Sequence, residues 1–76
     1  MNVKELRAIR AKAWEEAKAF LDSHRNESGL LSDEDTKAYE EMEKRIVNLG
    51  HEIERQERID AMEREMAMPV STPLTS

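Results

Sequence analysis

The side chains that could do chemistry in this chain are two histidines, many carboxylates and a few hydroxyls. His24 and His51 are the only imidazoles in the 76 residues, and in an antiparallel hairpin they would lie too far apart to bind one zinc ion together. His51-Glu52 lacks the second histidine four positions on that a zinc-protease helix requires. With no cysteine in the chain, thiolate ligands and disulfide bonds are also excluded. We therefore predict solvated histidines, no metal and no cofactor.

The 17 acidic residues alternate along the sequence with 12 lysines and arginines. Catalytic carboxylates face one another across a cleft, whereas carboxylates interleaved with bases on a helix form a solvated surface. The two glycines lie in no phosphate-binding loop, and the hydroxyl groups lack a nearby base. The sequence therefore predicts that this protein is not an enzyme.

Two helix-forming stretches of unequal length carry these residues. In the first, Asn2 and Glu5 form a capping box that satisfies free backbone N–H groups, and the helix should run to about Arg25. Its apolar residues recur at steps of three and four, which places them on one face. They are Leu6, Ile9, Ala13, Ala17, Phe20 and Leu21.

The second stretch begins after Ser32, which caps it, and Met68-Pro69 must end it. Its apolar residues follow a heptad seam. They are Tyr39, Met42, Ile46, Leu49 and Ile53. Exposed pairs of opposite charge at i,i+4 spacing should support a long solvated helix. These pairs are Glu40 with Lys44, Glu41 with Arg45, Glu54 with Arg58, and Asp60 with Arg64.

Between the two stretches, Asn26 or Gly29 is expected to take the left-handed conformation that ends a helix. The predicted fold is therefore all-α, an antiparallel helical hairpin of the coiled-coil type that assembles into a helical bundle. The hairpin covers residues 1–68, with helices at about 3–25 and 33–67 and a turn at 26–32. Residues 69–76 form a Ser/Thr/Pro-rich tail or linker.

Antiparallel pairing places Leu6 near Ile53, Ile9 or Arg10 near Leu49, and Phe20 near Tyr39. At about 1.5 Å per residue, the first helix is about 36 Å long and the second about 50 Å. The second helix therefore projects past the first, and its end carries apolar residues that a lone hairpin cannot cover. Together with Trp14, which suits either helix packing or an interface, they form the candidate oligomer interface. These projecting residues are Ile59, Met62 and Met66.

The two helices differ in net charge. Residues 1–25 contain six bases and four acids, whereas residues 33–68 contain six bases and twelve acids. A net charge of −5 argues against a nucleic-acid partner, which would need a clustered basic face. No apolar run is long enough to span a membrane or to act as a secretory signal. The sequence thus predicts a soluble intracellular protein that associates with itself.

Four segments of the chain resemble a known family, and the turn with its acidic cap is the most distinctive of them. They are Lys4-Glu5-Leu6-Arg7, Glu15-Glu16-Ala17-Lys18-Ala19-Phe20-Leu21, Gly29-Leu30-Leu31-Ser32-Asp33-Glu34-Asp35 and Leu49-Gly50-His51-Glu52-Ile53-Glu54-Arg55. In this order they resemble the N-terminal helical segment, often called the delta domain, of tailed-phage major capsid proteins with the Hong Kong-type fold. The resemblance covers nearly the whole chain but only the opening segment of such a protein.

This resemblance implies a built-in scaffold that directs coat subunits into a procapsid and is commonly removed by a prohead protease. The implied partners are copies of the chain and other capsid subunits, in the host cytoplasm or in the procapsid or virion. Two other functions stay open, a generic coiled-coil adaptor or regulator of another protein, and a nucleic-acid-binding hairpin. The basic residues for the latter would be Arg7, Arg10, Lys18 and Arg25.

Overall fold

The computed structural model describes residues 1–68 and contains two α-helices, α1 (Val3–His24) and α2 (Asp33–Ala67). The two helices pack against each other in antiparallel orientation, with Arg7 paired to Glu57 and Arg10 beside Gly50. No strand occurs within the described residues. The predicted all-α helical hairpin is therefore confirmed. The predicted tail at 69–76 lies outside the described residues.

Side-chain caps fix the start of each helix, as their sequences predict. The Asn2 side chain accepts a hydrogen bond from the Glu5 amide at 2.8 Å, and the Asn2 amide donates to the Glu5 carboxylate at 3.0 Å. Ser32 accepts from the Asp35 amide at 3.1 Å. Three acidic residues in the first turn of α2, beginning with Asp33, also suit the positive end of its dipole.

The end of α1 differs from the prediction of a left-handed terminating residue. The helix stops at His24, and Arg25 leaves it in an extended conformation with φ −70° and ψ 138°. Asn26 instead organises the loop, because its side chain accepts hydrogen bonds from the Ser28 and Leu30 amides at 2.8 and 3.0 Å. Gly29, with φ +79°, allows the chain to reverse inside the loop rather than at the helix end.

Replacing Gly29 with alanine should destabilise the hairpin by about 1 kcal/mol, because a left-handed backbone disfavours a side chain. A Cβ atom at this position would meet no atom within 4 Å, so the expected cost is conformational and not steric. Urea denaturation followed by circular dichroism at one protein concentration measures it. Ser28→Ala in the same loop is the control, and an unchanged midpoint for Gly29→Ala would contradict this account of the turn.

The core of the hairpin is a single thin row of side chains. Only Leu6, Ala13, Ala17 and Ile53 are buried among the described residues, and Ala17 alone is fully enclosed. The other predicted seam residues are half-buried, and they are Ile9, Phe20, Tyr39, Met42, Ile46 and Leu49. Two helices leave the sides of their seam open to water, so a chain of this size gains stability when another surface covers it.

The apolar seam stops at Ile53, although α2 continues. The next positions of α2 that face α1 carry Gln56 and Asp60, which are half-buried and joined by a hydrogen bond of 3.0 Å. An ion pair between Arg7 and Glu57 links the two helices beside them. At the end of the hairpin opposite the loop, the helices are therefore held together by polar groups, and α2 continues beyond this contact. Neither described helix has the length and apolar character needed to cross a membrane.

Candidate assembly surfaces

Three large apolar side chains stand exposed toward the C-terminal end of α2, in a stretch that begins level with the first turn of α1 and continues beyond it. Ile59, Met62 and Met66 are 40%, 60% and 79% exposed, and together with Glu63 they line one shallow depression. Their spacing of three and four residues puts them on a single face of the helix. We call Ile59, Met62 and Met66 the overhang patch. Residues 1–68 leave most of Met62 and Met66 uncovered, whereas Ile59 is more than half covered.

The overhang patch does not continue the seam. Gln56 and Asp60 occupy the positions that face α1, whereas the patch lies roughly 100–160° around the helix from Asp60, at 100° per residue. It therefore points away from the side on which α1 packs. Even a longer α1 would leave these side chains exposed, so covering the patch requires a different surface.

A second apolar surface lies along one flank of the hairpin, where a groove of about 460 Å³ follows the boundary between the helices. We call it the seam groove. Its large exposed apolar members are Trp14 and Val47, at 44% and 51%. The lining residues are Arg7, Arg10, Ala11 and Trp14 from α1, and Ile46, Val47 and Gly50 from α2.

Trp14 packs partly against the hairpin, and its role in an interface stays a prediction for the part of the side chain that is exposed. Slightly more than half of it is covered by the hairpin, and the rest forms a wall of the seam groove. Lys18 lies with its ammonium 5.6 Å from the ring centroid, within the range of a cation–π contact. The structure does not bring Trp14 together with the overhang patch, which begins about 18 Å farther along α2 from Val47.

The sequence does not predict the seam groove. Val47 falls outside the heptad seam, and the periodicity assigns it to the outer surface of α2. The only signal was a β-branched apolar residue at a position where solvated helices usually carry a charged one. The contribution of Ala11 and Gly50 depends on how the two helices are rotated against each other, which periodicity does not fix.

Gly50 is half-buried in the seam groove, and alanine there should stabilise the hairpin by about 1 kcal/mol through helix propensity. A Cβ atom would lie 3.4 Å from Nη1 of Arg10, the mobile end of a long side chain, and would meet nothing else within 4 Å. The denaturation midpoint of Gly50→Ala should therefore rise. A lower midpoint would show that the helices approach more closely at Gly50 than this geometry allows.

The charged surface of α2 differs in detail from the sequence prediction. The four i,i+4 pairs that the sequence predicts are not formed within residues 1–68, and pairs at i,i+3 spacing occur instead. On α2 these are Lys44 with Glu41 at 3.4 Å and Arg55 with Glu52, and α1 carries one of the same kind, Lys18 with Glu15 at 3.1 Å. Lys44 turns to Glu41 and Asp60 accepts from Gln56, which removes partners from two of the predicted pairs. Such exposed pairs contribute at most about 1 kcal/mol each.

The side chains of His24 and Tyr39 interact with neighbours on their own helix. His24 stacks on Phe20 with ring centroids 4.0 Å apart, and His51 is exposed on α2. The Tyr39 hydroxyl donates to Glu43 at 3.1 Å. Desolvation first, and then this hydrogen bond and the charge of Glu43, raise the pKa of Tyr39 above its ordinary value of 10.0. Within residues 1–68, no three His, Asp or Glu side chains are grouped to hold a metal ion.

Comparison of the chain with family models, curated proteins and solved structures found no match. The features of the structure that bear on function are the two apolar surfaces and the charges around them. Both surfaces are elongated along helices, and both suit contact with another helix.

Proposed function

We propose that this chain is a structural assembly module, which associates with copies of itself through helix packing and so gathers the protein that carries it into a multi-subunit structure. The overhang patch carries this proposal. Three neighbouring side chains, Ile59, Met62 and Met66, expose apolar surface on a helix end, and a soluble protein usually covers such surface with a partner. Charged or polar residues would occupy this face if it only met water.

The thin core supports the same proposal. Ala17 is the only fully enclosed side chain among residues 1–68, so the hairpin obtains little stability from its own packing. Burying an isoleucine or methionine stabilises a structure by about 1.5–3 kcal/mol. The three side chains of the overhang patch are already partly covered in the single chain, so covering them with another copy would add about 3 kcal/mol in total. Ordering two chains offsets part of this gain.

The assembly that the sequence favours is a phage procapsid, in which this chain would act as the scaffold segment at the start of a major capsid protein. The resemblance of residues 4–7, 15–21, 29–35 and 49–55 supports this assignment. In the structure, the segment at 29–35 forms the turn and the capped start of α2. On this proposal, the partners are copies of the chain and other capsid subunits, in the host cytoplasm or in the procapsid.

Fusion of the chain to a monomeric fluorescent protein tests whether it acts as an assembly module. The fused protein should form oligomers in mass photometry, because the overhang patches of several copies are then covered. The matched control carries Ile59→Gln, Met62→Gln and Met66→Gln, and it should remain monomeric. A fusion that is monomeric at every accessible concentration would refute the proposal.

The seam groove favours a second candidate, an adaptor that binds a helix of a different protein. Its exposed Trp14 is of the residue type most enriched among binding hot spots, and Arg7 and Arg10 flank it. An adaptor of this kind would be monomeric alone and would associate only with its partner. The fluorescent fusion therefore separates the two functions.

A further inference from the structure

We infer that the overhang patch of one copy docks into the seam groove of a second copy, so that the copies associate head to tail. This inference rests on the proposed self-association and specifies the surface that receives the patch. The occupant of the groove is then a helix end of this same chain. The side-chain types, the charges and the placement of the two surfaces support it.

The side chains of the two surfaces are of the kinds found where a helix binds in a groove. Ala11 and Gly50 are the small residues of the groove, and Trp14 and Val47 provide its large exposed apolar side chains. Small residues let a helix approach closely, and helices that bind in grooves present anchors at positions i, i+3 and i+7. The overhang patch has this spacing, since its members are residues 59, 62 and 66.

The charges of the two surfaces are complementary. Among the seven residues of the seam groove, two are arginines and none is acidic. Among the four residues of the overhang depression, Glu63 is acidic and none is basic. Arg7 is already paired with Glu57, whereas neither Arg10 nor Glu63 belongs to an ion pair formed within residues 1–68. We therefore place Glu63 of the docked copy next to Arg10.

The two surfaces cannot meet within one hairpin. Ile59 is about 18 Å along α2 from Val47, and the patch points roughly 120° around the helix from the edge of α2 that lines the groove. A copy that receives a patch in its groove therefore keeps its own patch free for the next copy. Contacts of this unlike kind generate open chains or rings rather than closed pairs.

Mixing two variants tests the head-to-tail contact directly. The groove variant, Trp14→Gln with Val47→Gln, keeps its overhang patch, and the overhang variant, Ile59→Gln with Met62→Gln and Met66→Gln, keeps its groove. At concentrations where the unmodified chain associates, each variant alone should be monomeric by sedimentation velocity. The mixture should form a one-to-one heterodimer and nothing larger, because only one intact contact remains.

Each other outcome of the mixing experiment has a distinct meaning. If the groove variant still associates like the unmodified chain, or if the mixture stays monomeric, the patch binds elsewhere and the inference is wrong while self-association stands. If the unmodified chain is itself monomeric, both the inference and the proposed function fail. Circular dichroism of each variant shows whether the helices are kept. Leu30→Gln, at a loop side chain that is 64% exposed, is the control for loss of apolar surface.

Charge reversal provides a second test that leaves the apolar residues in place. In the heterodimer, the overhang variant supplies the intact groove (the groove donor) and the groove variant supplies the intact patch (the overhang donor). Arg10→Glu in the groove donor should weaken the heterodimer about fivefold, since a favourable contact between surface charges becomes repulsive. Glu63→Arg in the overhang donor should weaken it similarly, and combining the two reversals should restore the affinity. If the pair that carries both reversals instead loses affinity by the sum of the two single losses, the proposed contact between residues 10 and 63 is wrong.

Discussion

Replacing Ile53 with aspartate is expected to unfold the hairpin. Ile53 is the only buried residue of α2 among those described, at 4% exposure, and it lies where α1 contributes the buried Leu6. An unpaired carboxylate at this position would be desolvated without a compensating partner, which destabilises a fold by about 3 kcal/mol or more. A core with so few buried side chains does not supply enough folding free energy to offset this loss.

The expected observation is loss of most of the helical circular dichroism signal at low protein concentration. Val47→Asp is the matched control, because it makes a similar change on the same helix at a side chain that is about half exposed. It should keep the helical signal. An Ile53→Asp chain with an unchanged signal and denaturation midpoint would show that contact between the two helices does not stabilise them.

The triple variant Ile59→Gln, Met62→Gln and Met66→Gln should weaken self-association by about a hundredfold or more while the hairpin stays folded. Each substitution removes an apolar contact worth about 1 kcal/mol or more in the assembled state, and about 3 kcal/mol corresponds to a factor of roughly a hundred. Because these side chains are exposed in the single chain, its own folding should change little.

Sedimentation equilibrium of the unmodified and triple-variant chains measures this difference. Leu30→Gln again serves as the control, since it removes one exposed apolar side chain from the loop and should leave the association constant unchanged. Dilution should also lower the thermal midpoint of the unmodified chain but not that of the triple variant, because association stabilises the folded state by mass action. Equal association constants for the two chains would place the interface away from the overhang.

The helix starts were predictable because they depend on neighbours in sequence. The capping box of Asn2 and Glu5 and the cap at Ser32 bring together groups three residues apart, so no tertiary information is needed. The end of α1 was harder to predict from the sequence. Several residues can close a loop of this length, and the side chain of Asn26 organises it where a left-handed helix end was predicted.

The assembly surfaces were predictable in part. Heptad spacing and helix length predict that Ile59, Met62 and Met66 lie beyond the reach of α1. Continuing the heptad spacing from Ile53 puts Gln56 and Asp60 at the seam positions, so the sequence itself indicates that this patch lies off the seam. The half-buried Gln56 and Asp60 of the structure agree with this. The seam groove depends on the rotation of α1 against α2, so Val47 and Gly50 could be assigned to it only from the structure.

The molar mass of the unmodified chain, measured by sedimentation equilibrium over a wide concentration series, tests the central claim most directly. One copy has a mass of 8.8 kDa. The proposed assembly module predicts a weight-average mass that rises above this value as concentration increases, and head-to-tail docking predicts that it continues to rise past a dimer unless a ring closes. A mass that stays at 8.8 kDa throughout the series would contradict self-association and the function proposed from it.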